Sequence, residues 1–233
     1  MNSLDGLSLI EINQNLFRNI VSLRNSENLF DDLSDEPDDW AEATRLEIEI
    51  KPIFFESSQP IIDRPFEESQ FLSNIDYPFT HWMQTRFSRG FYGVWYGSRE
   101  FETTIYETVY HWNNGLLADA GWQNYEGISI ERRVHLIPCN AALINLLPKE
   151  KKWKFLKSND YTECQQLGSR IHKEGHPGLW TPSARYKGIN AAIFIPKILS
   201  NSRMHCYLTY KKIKNEIHVF RDPKKLFMRI SNQ

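Results

Sequence analysis

The sequence predicts an α+β fold, and three observations carry that expectation. Glycine-bounded runs rich in aromatic and β-branched residues, such as "FYGVWYG", suit short strands. Ile105, Val109 and Trp112 recur at i, i+4 and i+7, the mark of an amphipathic helix. Strand-like and helix-like segments then mix without a regular βαβ rhythm, so α+β is the better class.

Taken in order, residues 5–24 mix apolar and polar positions in a way that permits a helix or a short strand. The acidic stretch "SENLFDDLSDEPDDW" follows and reads as a solvated loop. "DWAEATRLEIEIKP" looks like a helix capped by Asp38 or Asp39 and ended by Pro52. After the aromatic strand comes the helix of Ile105, with Ser98 available as N-cap and Glu100 and Glu102 suited to its dipole. Asn113, Asn114 and Gly115 supply its expected stop. "ISIERRVHLI" and "AALINLL" are strand-like, and "DYTECQQLGSRIHKEG" is a helix capped by Asp160 and terminated at Gly175. "GLWTPSARYKGINAAIFIP" holds a loop and then a strand ended by Pro196, and "HCYLTY" and "EIHVFRD" add further strands.

Composition narrows the function. The 233 residues suit one domain able to bury a core without disulfides or a structural metal. Twenty-eight basic and 29 acidic residues nearly cancel, so no overall field draws the chain to nucleic acid or anionic lipid. A locally basic site for a phosphorylated ligand is compatible with that balance. Cys139, Cys164 and Cys206 are odd in number and widely spaced, which points to a reducing compartment. The N-terminus lacks a basic region followed by an apolar run, and no apolar run is long enough to span a bilayer. A soluble cytoplasmic protein is expected. His172 and His176 have a metal-like spacing, but Gly175 and Pro177 break their helix and no third ligand is near, so no metal is expected.

On the helical wheel Glu107 points away from the apolar stripe and shares its face with Thr103, Tyr110 and His111. Such a glutamate is ordinarily a solvated surface residue. Two longer patterns change that reading. "RFSRGFYGVWYGSREFETTIYET" and, later, "GLWTPSARYKGINAAIFIP" together resemble the RES family, named for an arginine, a glutamate and a serine. The resemblance is firm over roughly residues 84–196, with a shorter match at "NLFRNIV". It implies an ADP-ribosyltransferase-like fold, a split mixed or antiparallel sheet with flanking helices. It also implies a single domain over residues 1–233: an N-terminal part with the acidic loop 27–39, a motif-bearing core, and C-terminal strands after 196.

The activity implied by the resemblance is that of a toxin of a toxin–antitoxin pair. It cleaves the nicotinamide–ribose bond of NAD as a glycohydrolase or phosphorylase and so depletes cellular NAD. The alternatives are ADP-ribosyl transfer to a protein, or a non-catalytic member that binds a nucleotide or partner. NAD enters as substrate and not as a resident cofactor; inorganic phosphate and an Xre-type helix-turn-helix antitoxin are the implied partners. Carried over residue by residue, Glu107 is the catalytic carboxylate and Ser183 its partner, with Arg86 and Arg18 binding the diphosphate. Tyr96 is the aromatic platform for nicotinamide, and His111 lies one turn past Glu107 on the same face. Arg24 is the alternative to Arg18, and Arg89 the alternative or companion to Arg86. These residue types suit the chemistry. A guanidinium pairs with diphosphate oxygens, and a carboxylate stabilises the positive charge that develops on ribose as nicotinamide leaves.

Overall fold

The computed structural model describes residues 6–22, 74–221 and 225–231. The acidic stretch 27–39, the helix expected over 39–52 and Arg24 lie outside the described residues. The α+β class holds, and the sheet is mixed. It has eight strands, and the N-terminal strand at its edge also pairs with a central strand.

Residues 5–24, open between helix and short strand on sequence, form a long strand, β1 (Ser8–Val21). The period-2 reading wins because Ile12 and Leu16 both point into the core on one face of the strand. β1 runs antiparallel to β5 (Ser129–Asn145) along its whole length, from Ser8↔Asn145 to Val21↔Arg132. The runs "ISIERRVHLI" and "AALINLL" are thus one 17-residue strand and not two.

Pro138 sits inside that strand and marks where its other edge divides. Before it, residues 129–136 pair with β8 (Arg203–Ile213). After it, Ile144 and Asn145 pair in parallel with β6 (Gly178–Pro182). The Pro138 carbonyl accepts from Ser200 N, so the position of its missing N–H also faces this gap between ladders, where it costs least.

β6 runs antiparallel to β7 (Ile189–Ile193), β7 to β4 (Trp95–Ser98), and β4 returns to β1 at Phe17↔Ser98. Five strands therefore close a ring, β1-β4-β7-β6-β5. Ile12, Leu16, Trp95, Ile137, Leu143, Trp180, Ala191 and Ile193 form one buried cluster along these strands. Gly97 belongs to this packing, because an added Cβ there would lie 3.2 Å from Leu16 Cβ and closer still to the Trp95 ring. β8, β9 (Glu216–Phe220) and β10 (Leu226–Ser231) extend the sheet beyond the ring. β2 (Gln84–Thr85) and β3 (Ser88–Arg89) form a small separate hairpin.

The helices include α1 (residues 74–80), α2 (Phe101–His111) and α3 (Thr162–Lys173). α2 carries the predicted stripe. Ile105, Val109 and Trp112 are buried against Val134, Leu208, Tyr210, Ile217 and Val219 of β5, β8 and β9.

Both ends of α2 depart from expectation. Glu100 and not Ser98 is the N-cap, because the Ser98 hydroxyl donates to Asn190 Oδ1 at 2.7 Å. At the other end Asn113–Gly115 do not stop the helix; a π-turn over Trp112–Leu116 carries it on to Asp119. The Asn113 side chain is drawn inward instead, accepting from the buried Lys212 Nζ at 3.1 Å, a partner that the lysine charge requires. α3 ends at Gly175 as expected, with φ +84°. Its first N–H groups include Thr162 N, which donates to Asp160 Oδ1 at 2.9 Å, although Tyr161 occupies the cap position. Cys139 and Cys164 are core residues with thiols pushed up to about 11 by burial.

Candidate active site

Glu107 projects from the face of α2 opposite the buried stripe, as the wheel requires, and is half-buried. What covers that face is the loop 183–188 between β6 and β7. Pro182 closes β6 in an extended conformation, and Ser183 follows it directly, fully buried. The Ser183 hydroxyl accepts from Arg185 N and Tyr186 N, both at 3.1 Å, a serine turn that folds the loop back on itself. Ser183 N donates to Gly188 O at 2.8 Å and closes it.

With two donors occupying its lone pairs, the Ser183 hydroxyl directs its own proton outward, to Glu107 Oε1 at 2.6 Å. Asn190 Nδ2 donates to the same oxygen at 2.7 Å. The Asn190 amide is itself oriented, because its Oδ1 accepts from Ser98 Oγ at 2.7 Å. Two donors on Oε1 fix the carboxylate, and among the described residues none donates to Oε2. The clamp thus presents one free carboxylate oxygen from a rigid mount.

Gly188 permits this approach of loop to helix. A Cβ there would strike Thr103 Oγ1 and lie 2.8 Å from Glu100 Oε2. Glu100 Oε2 also accepts from Ile189 N at 2.9 Å and Thr103 Oγ1 at 3.2 Å, which ties the start of α2 to β7. On the sheet side, Asn19 Nδ2 donates to Thr108 Oγ1 at 3.1 Å and to Tyr210 OH at 2.8 Å. Arg132 Nε donates to Asn19 Oδ1 at 2.9 Å. α2 is therefore pinned on both sides of Glu107.

The other expected site residues divide. His111 lies one turn past Glu107; desolvation lowers its pKa below the ordinary imidazole value, Glu107 opposes that shift, and Arg185, Arg86 and Arg132 add to it. Arg86 is half-buried, with Nη1 donating to Ser158 O at 2.7 Å and Leu156 O at 3.3 Å and its guanidinium over the Tyr161 ring at 4.4 Å. Tyr96 packs against the α3 cluster, and its hydroxyl bonds Thr85 Oγ1 at 3.1 Å and Phe87 N at 3.2 Å. Burial raises the pKa of that phenol.

Neither Arg18 nor Arg89 makes a described contact with Glu107. Arg18 shares the face of β1 with Leu16, donates to Tyr96 O at 2.7 Å and sits 5.4 Å from the Trp95 ring, while its neighbour Asn19 faces α2. Desolvation, with the charge of Arg132, lowers the Arg18 pKa to about 10. Arg89 is exposed on β3, and no described contact joins it to the clamp. A hollow of about 410 Å³ lined by Ile10, Gln14, Arg99 and Trp180 lies elsewhere, and none of the clamp residues lines it.

Asn190, Ser98 and Arg185 are the site residues that sequence reasoning did not assign. The first signal for them was present: Asn190 and Arg185 both lie within the "PSARYKGIN" run that carried the resemblance. Among the described residues no three His, Cys, Asp or Glu side chains cluster to hold a metal ion, and no helix is long and apolar enough to cross a membrane.

The RES domain family model matches residues 65–212, well over half of the chain and including Arg86, Glu107, Ser183 and Asn190. No curated protein sequence matches the chain. Among solved structures, the M. tuberculosis MbcT–MbcA toxin–antitoxin complex is similar at 10% identity over 86% of each chain, with a TM-score of 0.46. That likeness bears on neither substrate nor partner.

Proposed function

The chain belongs to the RES domain family, and on that premise we propose that it is an NAD-degrading enzyme, the toxin of a toxin–antitoxin pair. The reaction is cleavage of the nicotinamide–ribose bond, with water or phosphate as acceptor. The observation that carries this reading is the Glu107 clamp: a carboxylate held through Oε1 by Ser183 and Asn190, with Oε2 free.

Loss of nicotinamide builds oxocarbenium character on ribose. A carboxylate oxygen aimed at that carbon stabilises the charge and orients the incoming nucleophile. Nicotinamide leaves as a neutral molecule from a cationic donor, so no general acid is required and one carboxylate suffices. Ser183 does not attack. Its proton is committed to Glu107 and its lone pairs to the loop amides, so its part is to aim the carboxylate. Arg185, on the loop that holds Ser183, and Arg86 are the guanidinium groups assigned to the diphosphate. His111, one turn past Glu107, is the side chain that can take a proton from the acceptor. An antitoxin of helix-turn-helix type that covers the site completes the proposal.

The test is incubation of the purified chain with NAD labelled in its ribose. Release of free ADP-ribose or its 1″-phosphate, with stoichiometric nicotinamide, supports the proposal and identifies the acceptor. Label transferred to protein would replace it with ADP-ribosyl transfer, and intact NAD would refute it.

A further inference from the structure

Arg185 differs from the other arginines of the site in what its guanidinium does. Arg86 spends its Nη1 on two backbone carbonyls, and Arg132 spends Nε and Nη2 on Asn19. In Arg185 both Nε and Nη2 are buried and have no hydrogen-bond partner. These two nitrogens lie on one edge of the planar group, the fork that pairs with two oxygens of a carboxylate or phosphate. No acidic side chain among the described residues forms an ion pair with it.

Its position is held from two directions. The guanidinium carbon lies 3.3 Å from the centroid of the Tyr110 ring. Its backbone N–H donates to Ser183 Oγ, and the next residue, Tyr186, stacks on Tyr106 at 4.2 Å with an interplanar angle of 9°. A buried, unpaired fork on a fixed mount is costly unless a ligand completes it. The Ser183 hydroxyl that accepts from Arg185 N donates to Glu107 Oε1, so Arg185 belongs to the loop that holds Glu107. A carboxylate and a phosphoryl group both offer two oxygens to such a fork, and the reading of the site as one for a dinucleotide favours the phosphoryl group.

We infer that Arg185 is an anion-binding residue of this site, its Nε and Nη2 taking two oxygens of one phosphoryl group. The inference deepens the NAD-cleaving reading and rests on it for the site's role. The phosphoryl group comes either from the diphosphate of the dinucleotide or from inorganic phosphate as acceptor, and the two share this chemistry.

Calorimetric titration tests it on the full chain, with ADP as one probe and inorganic phosphate as the other, for the parent, Arg185→Gln and Arg185→Lys. The expected result is binding by the parent that weakens at least about tenfold in Arg185→Gln. Arg185→Lys, which keeps the charge and loses the fork, falls between, and serves alone if Arg185→Gln does not fold. Loss confined to ADP assigns the fork to the dinucleotide; loss confined to phosphate assigns it to the acceptor. Affinities within twofold of the parent for both probes, or a parent that binds neither, overturn the inference. Binding is read without turnover. A chain that binds ADP through Arg185 but leaves NAD intact refutes the catalytic reading alone, and NAD turnover with Arg185-independent binding refutes this inference alone.

Discussion

Asn190 bears on Glu107 through a single oxygen, and the consequence can be read in a pH profile. Its amide donates to Glu107 Oε1 at 2.7 Å while its own oxygen is tied to Ser98. In Asn190→Asp the donor becomes a second carboxyl group against the first. Two carboxyls at that distance cannot both ionise freely, so they titrate as a pair with one apparent pKa raised. The acidic limb of the kcat profile should therefore move to higher pH by a unit or more, roughly the scale of close like-charge pairs. An unmoved limb, with kcat merely reduced, would remove Asn190 from contact with the reacting carboxylate. At this scale the sequence was legible in part. Glu107 and Ser183 could be paired only through the family pattern, since 76 residues separate them. Asn190 looked like any polar residue at the start of a strand. For Arg18 the motif match does not carry the parity of the strand: it donates to Tyr96 O, whereas its neighbour Asn19 faces α2.

The elements that build the site are α2 and the 183–188 loop, and Gly188 sets their separation. Gly188→Ala places a methyl against Thr103 Oγ1 and Glu100 Oε2 at the first turn of α2. Relief requires the loop to lift, and Ser183 and Arg185 lift with it. Overpacking of this kind costs about 1–3 kcal/mol, so Tm should drop by roughly 2–10 °C. NAD cleavage should drop with it; a Tm and a rate equal to those of the parent would mean the loop has slack that the contacts deny. The helix itself was legible because its stripe is strictly periodic, and Ile105, Val109 and Trp112 are all buried. Its ends were not. Ser98 and Asn113 have the residue types of caps, but each is claimed by a distant partner, Asn190 and Lys212 respectively. Cap propensities are local, and a buried partner outcompetes them. The joining of two strand-like runs across Pro138 was hidden for a related reason. Proline breaks a ladder only on the edge its nitrogen faces, and that edge is decided by the register with β1.

At the scale of the whole molecule, the class could be read from the mixture of periods, whereas ring closure between β1 and β4 could not. That closure rests on one pair, Phe17↔Ser98, far apart in sequence. The ring wall and the extension meet along β5, where His135 is buried on the strand that belongs to both. Burial, with the charges of Arg133 and Arg18, pushes the His135 pKa down to about 4. The folded state thus keeps the imidazole neutral where the unfolded chain, with a pKa near 6.5, takes up a proton. Stability from this group is complete above about pH 6.5 and is lost as pH falls toward 4, by up to about 3 kcal/mol. Urea unfolding at about pH 7 and about pH 4.5 should show this loss, and His135→Gln should flatten it; an equal slope in both proteins would contradict the burial.

All of this scaffolding serves one carboxylate, held through Oε1 and free at Oε2. Nicotinamide release from NAD by the purified chain and by folded Glu107→Gln, measured side by side, addresses that assignment most directly. The account predicts steady release by the parent and a rate lower by about 10²–10³ in the variant, the usual loss for an aimed electrostatic group. Equal rates in the two proteins would contradict it.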